Sequence, residues 1–328
     1  MVTSQEPSSA EPAAHPTRVA VVGTGAVGST FAFGLLLSGL ASEILLVDAN
    51  ARKAEGEAMD LLHAVPFART ARVWAGRIEE CRGAAVTVIA AGAAQKPGET
   101  RLDLVQKNGA IFRELVPKIA EGNPDGIILV ATNPVDVLSY LTCRIAGLPP
   151  ARVIGSGTIL DTARFRMLLA ERYRVDPHSV HAHIVGEHGD SEVPVWSSAN
   201  IAGMSLRDFG VATGIGHDRG ALDQIFTDTR DAAYQIIERK GVTHYAVAAG
   251  LVRIVEAILR DQHTVLSVSS LITDYYGIED VYLSLPAVVG RAGVERIVPL
   301  GLSAEEASAL RRSAGLLRET IGHLGLPG

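Results

Sequence analysis

Aromatic residues make up only 5% of the 328-residue chain, and cysteine occurs twice, as Cys81 and Cys143. The shortage of aromatics leaves the core to aliphatic side chains and alanine. Two thiols cannot staple a chain of this length, so a disulfide scaffold is excluded and a reducing compartment, the cytoplasm, is expected. Positive charge is also in short supply. The formal net charge is −6, which denies the chain the basic footprint of a nucleic-acid binder. No convincing membrane span is present. Residues 19–42 carry no formal charge and could cross a bilayer by length, yet Gly23, Gly25, Gly28, Gly34 and Gly39 interrupt them, as do Thr24, Ser29, Thr30 and Ser38. A buried strand, a glycine turn and a buried helix fit better. Residues 1–17 hold three prolines and no apolar run, unlike a secretory or transit signal, and are expected to form a disordered tail.

What the chain does have is 47% hydrophobic residues and a surplus of glycine, 33 of 328. The runs VAVVG (19–23), ILLVD (44–48), VTVIAAG (86–92) and IILVATN (127–133) are apolar on both faces, with weaker strands at 71–76 and 152–156. Separated by helix-length segments, they predict a Rossmann-type, doubly wound parallel sheet over residues 18–156. Ligands of such sheets bind at the carboxyl ends of the strands. Residues 157–328 predict a mixed α/β domain: a helix from Thr158, a polar strand at 180–186, helices at 218–239 and 243–260, and short strands near 264–271 and 281–288. A last helix opens with Ser303 and Glu306 in capping-box spacing.

Gly23 to Gly28, GTGAVG, lies between the first strand and the first helix. Gly23 suits a tight turn, Gly25 a close approach of backbone to a pyrophosphate, and Gly28 close helix–strand packing. The helix start at Ala26 and Val27 offers N–H donors to phosphate. Asp48, at the end of the second strand, would accept ribose hydroxyls and repel a 2′-phosphate, which favours NAD over NADP. The alternative is a strand-capping acid beside a turn that needs glycine.

Further polar groups collect at strand ends. The segment AGAAQKPGETRLDLV (91–105), with Gly92 at its start, is a candidate lid that would deliver Arg101. Asn133 in TNPVD either faces the site or caps the next helix, and Ser156 ends the weak strand. Asp161 and Arg164 share a helix face, either as site residues or as a surface ion pair, whereas Arg166 points away from Arg164. His188, in IVGEHGDS, can titrate near neutrality if a carboxylate holds it. His181, His183 and His188 lack the cysteine clusters of structural zinc sites, and no metal is expected.

Jointly, GTGAVGS, QKPGETRLDLV, TNPVDV, GSGTILDTARFR and GEHGDSE resemble the 2-hydroxy-acid dehydrogenase family of lactate and malate dehydrogenases, nearest its bacterial lactate branch, from about residue 18 onward. The resemblance implies His188 as proton donor and acceptor, Asp161 as its orienting carboxylate and Arg164 as a fork on the substrate carboxylate. It further implies Arg101 as the group polarising the C2 carbonyl, with Asn133 bonding near the same oxygen. Malate enzymes of the family carry Arg where this chain has Gln95. A neutral Gln95 would leave the second carboxylate of oxaloacetate without a counter-charge, at several kcal/mol, so pyruvate and L-lactate are the expected pair. Thr243 matches a position near the pyruvate methyl, or simply packs a helix start. Arg166 and His181 match positions that bind fructose 1,6-bisphosphate between subunits, which implies a possible activator and a homotetramer. Malate dehydrogenase is the alternative enzyme. A catalytically idle NAD-binding protein is the alternative class, and an NAD- and metal-dependent glycosidase would need ligands that cannot be assembled here.

Overall fold

The computed structural model describes residues 17–93 and 101–324. Its first half alternates strand and helix: β1 (Arg18–Val22), α1 (Ala26–Ser38), β2 (Glu43–Val47), α2 (Ala51–Ala64), β3 (Arg72–Ala75), β4 (Val86–Ile89), α3 (Arg101–Gly122), β5 (Ile127–Val130), α4 (Val135–Ala146) and β6 (Val153–Gly155). The strands pair in parallel in the order β6-β5-β4-β1-β2-β3. Alternate residues of one strand feed opposite cores, as the two-residue period requires. Ala20 and Val22 join Phe112, Val116 and Leu138 on one side. Val19 and Val21 join Phe31, Leu35 and Leu251 on the other. Strand order reverses between β1 and β4, which opens a crevice at their carboxyl ends.

The second half continues with α5 (Ile159–Tyr173), β7 (Val180–His181), β8 (Ile184–Val185), β9 (Val193–Pro194), β10 (Asn200–Ile201), β11 (Met204–Ser205), α6 (Leu206–Ala212), α7 (Arg219–Lys240), α8 (Tyr245–Leu259), β12 (Thr264–Ile272), β13 (Val281–Gly290), β14 (Gly293–Ile297) and α9 (Ala304–Gly322). The capping box of α9 forms as its spacing predicts: the Ser303 hydroxyl accepts the Glu306 N–H, and Glu306 accepts the Ser303 N–H. Leu310, Ala314 and Leu317 are buried along its length.

Three expectations need correction. The single strand expected at 180–186 is two short pieces serving different sheets, since β7 pairs with β10 and β8 with β9. Between them the Ala182 carbonyl accepts from Arg166 Nε at 2.8 Å and so leaves the ladder. The strands expected near 264–271 and 281–288 form, as Thr264–Ile272 and Val281–Gly290 paired from Thr264↔Val289 to Ile272↔Val281, but they do not stay within the second half. With β14 they extend the first sheet through the Ser269↔Gly155 pair, giving one nine-stranded sheet across both halves. Thr17, placed in the tail by its neighbours' composition, is pinned. Its N–H donates to Ser42 Oγ at 2.9 Å, and its carbonyl accepts the N–H groups of Ser42 and Glu43. The rest of the expected tail lies outside the described residues.

Among the described residues no helix is long and apolar enough to cross a membrane. Both cysteines are free, and burial pushes the Cys81 thiol up to about 12.

Candidate active site

The turn after β1 is shaped by what cannot fit there. Gly23 has φ +99°, and a Cβ on it would lie 2.3 Å from the Ala91 nitrogen. A Cβ on Gly28 would lie 1.9 Å from the Gly23 carbonyl oxygen, so only glycine lets α1 sit this close to the turn. Gly25 is different: a Cβ there meets nothing within 4 Å. It is the N-cap of α1, and no side chain caps that helix end. Open space therefore faces the uncapped helix start, with Ala26 exposed and Val27 half-buried beside it, and that space fits a pyrophosphate. Asp48 Oδ2 accepts the Thr24 N–H at 2.7 Å and the Thr24 hydroxyl at 2.9 Å, and Oδ1 accepts the Asn50 N–H. Burial works against its charge, but these bonds and Lys53 hold the carboxyl below its ordinary value. A fixed anion thus stands at the β2 end of the cleft.

Across the sheet, β4 and β5 end side by side, joined by a residue the sequence reading passed over. Asn108 of α3, 1% exposed, accepts the Ala93 N–H on Oδ1 at 2.7 Å and donates from Nδ2 to the Asn133 carbonyl at 2.8 Å. It occupies a step of the apolar stripe Val105, Phe112, Val116, which is the signal that could have found it. Gly92 lies under the same bridge, where a Cβ would meet Thr132 Cγ2 at 2.4 Å. Asn133 does not cap α4, whose N-cap is Pro134. Its side chain is exposed at the strand end. Ser156, at the end of β6, is buried and its N–H donates to the Val130 carbonyl.

The most tightly built part lies where α5 meets the turn after β8. Asp161, 2% exposed, accepts on both oxygens: Oδ2 lies 2.5 Å from His188 Nδ1, and Oδ1 accepts from Arg164 Nη1 at 3.0 Å. The Asp161 and Arg164 side chains are only 3% and 11% exposed, which disposes of the surface-pair alternative. The His188 backbone N–H donates to Asp136 Oδ2 at 2.8 Å, and Ser269 Oγ donates to Asp136 Oδ1 at 2.6 Å. Asp136 and Ser269 were not singled out from the sequence. Burial opposes charge on His188, yet Asp161, by charge and hydrogen bond, then Asp136 and Glu192, lift the imidazole to about 9. Burial also raises Asp161, but His188 and then Arg164 outweigh it and hold that carboxyl below the usual range. Asp136 is pushed up to about 6 by burial despite its two donors. Nε2 of His188 and the remaining nitrogens of Arg164 have no partner among the described residues. An imidazolium with a free N–H thus stands beside a free arginine fork, an array suited to a carboxylate-bearing substrate.

Other expected residues fall differently. Gln95 lies outside the described residues, and so does the Arg101 side chain, whose backbone starts α3. Thr243 is half-buried, just before the α8 N-cap His244. Arg166 is half-buried on α5, and His181 is exposed on β7, which packs against α5. His183 bonds to Ser267 Oγ and does not join His188. The one metal-spaced group among the described residues, Asp261, His263 and Glu295, is half-buried to exposed at the start of β12 and in β14.

A dinucleotide cleft next to a buried histidine–carboxylate pair is the equipment of an NAD-dependent oxidoreductase. Residues 17–155 match the family described as lactate/malate dehydrogenase, NAD binding domain, and residues 158–324 match its alpha/beta C-terminal domain. The chain belongs to the lactate/malate dehydrogenase family. It is 51% identical over 312 residues to an L-lactate dehydrogenase of Moorella thermoacetica, covering 95% of this chain and 98% of that protein. It is 52% identical over 303 residues to that of Priestia megaterium, covering 92% and 95%. The crystal structure of a minor L-lactate dehydrogenase from Enterococcus mundtii superposes with a TM-score of 0.92 at 41% identity, over 95% of this chain and 99% of that one.

Proposed function

We propose that this chain is an L-lactate dehydrogenase that interconverts pyruvate and L-lactate, with residues 18–156 holding the cofactor and 157–328 carrying the chemistry. The observation that carries the reading is the Arg164–Asp161–His188 array, with one fork and one ring nitrogen free. Bound NADH supplies the hydride for C2 of pyruvate. His188 gives the carbonyl oxygen its proton, and in the reverse direction takes it back. Asp161 holds the ring by Nδ1, so the exchangeable proton sits on Nε2. Arg164 grips the substrate carboxylate with two parallel N–H groups, a match lysine cannot supply. Arg101 polarises the carbonyl, and Asn133 bonds near the same oxygen. Gln95 and Thr243 line the methyl side, where a neutral wall disfavours a second carboxylate. Gly23, Gly25, Ala26, Val27, Gly28, Asp48, Gly92, Asn133 and Ser156 bound the NAD cleft.

Arg166 and His181 form the anion site for fructose 1,6-bisphosphate. In support, Arg166 and His181 both act electrostatically on His183, lowering it to about 4 after burial, so three basic side chains gather where α5 packs against β7. A homotetramer is supported by apolar side chains left bare on and around α1, α2 and α8: Phe33, Met59, Phe67 and Tyr245. The cytoplasm, at the fermentative end of glycolysis, is the setting that suits such an enzyme.

The test is NADH oxidation with pyruvate against oxaloacetate, with and without fructose 1,6-bisphosphate, for the protein and for Gln95→Arg. Pyruvate is expected to win, and Gln95→Arg to move preference toward oxaloacetate. Equal or faster oxaloacetate turnover by the unaltered protein would mark a malate dehydrogenase, and no turnover of either an idle binder.

A further inference from the structure

Glu192 is an acid of this site to which no described residue donates a hydrogen bond at Oε1. It closes the turn after His188, its N–H donating to the Gly189 carbonyl at 3.1 Å. Only 6% of the residue is exposed, and its Oε1 is buried with no hydrogen-bond partner among the described residues. The neighbouring acids fare otherwise. Asp161 has His188 and Arg164, Asp136 has Ser269 and the His188 N–H, and Glu187 accepts from Ser191 Oγ. Three carboxyl groups, Asp161, Asp136 and Glu192, thus share one pocket with two cations, His188 and Arg164. Arg230 of α7 also acts on Glu192 but is engaged by Asp231, with Asp190 acting on the same guanidinium. With every group ionised the pocket would hold surplus negative charge, and the member without donors costs most to ionise.

We propose that Glu192 is a positioning residue that carries a proton through the neutral range, and whose ionisation at alkaline pH strengthens the hold of His188 on its own proton. The second half of this rests on His188 as the proton donor of the proposed reaction. Burial first, then the charge of Asp161, push the Glu192 carboxyl up to about 8, against the pull of His188, Arg164 and Arg230. While Glu192 is neutral, the charges of Arg164 and His188 offset those of Asp161 and Asp136. Once Glu192 is ionised, its charge supports the imidazolium, and the proton-donating form persists to higher pH.

Glu192→Gln keeps the shape and removes the ionisable proton. Infrared difference spectra of the protein against this variant should show the C=O stretch of a neutral carboxylic acid, fading as pH rises through about 8. The alkaline limb of kcat/KM for pyruvate should move to lower pH by about one unit in Glu192→Gln, and Glu192→Asp should restore part of it. A missing band, or a limb that stays in place, overturns the proposal. If the variant does not fold, carbon-13 labelling of the glutamate carboxyls identifies the same band in the unaltered protein. If pyruvate is not a substrate, the reading of the reaction fails, and the infrared band still decides whether Glu192 is protonated.

Discussion

The backbone N–H of His188 is held by the side chain of Asp136, at 2.8 Å, from the first turn of a helix 52 residues earlier in the chain. Asp136 also accepts from Ser269 on β12 at 2.6 Å. One buried carboxylate therefore fixes the main chain of His188, while a second, Asp161, fixes its ring.

Removing that main-chain anchor strands two buried donors. Asp136→Ala should lower stability by about 2–4 kcal/mol, measured by denaturant titration. Turnover should fall more than NADH affinity, because the two hydrogen bonds of the Asp136 side chain go to His188 and Ser269 and to no cleft residue. A variant with unchanged turnover would show that Asp161 alone positions the ring.

The pH dependence follows from His188 at about 9 in the fold against about 6.5 in an unfolded chain. The charged pair contributes stability fully below the unfolded value and loses it as pH rises through the folded one. The thermal midpoint gap between the protein and His188→Asn should accordingly be wide near pH 6 and narrow above about 9. With His188 as the proposed proton donor, pyruvate reduction should decline above the same point. His188→Asn should lose at least about 100-fold in kcat with NADH binding kept.

Two glycines separate packing from ligand room. A methyl at Gly28 collides with the Gly23 carbonyl, so Gly28→Ala should cost about 1–3 kcal/mol. A methyl at Gly25 meets no protein atom. Gly25→Ala should therefore keep its thermal midpoint and bind NADH at least about tenfold more weakly, read by fluorescence titration. Equal NADH affinity would move the pyrophosphate away from this turn.

Asn108 ties the ends of β4 and β5 without facing the cleft as a ligand. Asn108→Ala should lower kcat/KM for pyruvate by about tenfold through displacement of Asn133. Asn108→Asp, which keeps the acceptor for Ala93 but loses the donor to Asn133, should fall between the two.

Much of this architecture was legible in local pattern. Val19–Val22 and Ile127–Val130 are apolar at every position because both faces are covered, and GTGAVG followed by Asp48 occupies the register a dinucleotide turn needs. His188, Asp161 and Arg164 were found because their motifs are polar where a strand or helix would not need it. Asp136 escaped since an acid in a helix's first turn ordinarily answers the helix dipole, and Ser269 because a serine in a strand has no signature of its partner. That the hairpin of β12 and β13 joins the first sheet is hidden for a similar reason. Its junction, Ser269 with Gly155, is a tertiary pairing that neither segment's periodicity encodes. Glu192 has no sequence signal of its own, and only the burial of the turn around it marks it out.

The Asp136 anchor also bears on the order in which the molecule is completed. It joins α4 to the turn at His188 and to Ser269, 133 residues away. Contacts spanning such lengths of chain close late, after the entropy of the intervening loops has been overcome. A refolding chain with β1 to β5 assembled and the β12–β13 hairpin undocked has a cofactor cleft and no fixed histidine. Recovery of cofactor binding should thus run ahead of recovery of turnover, and the lag between them times the closing of the last joint.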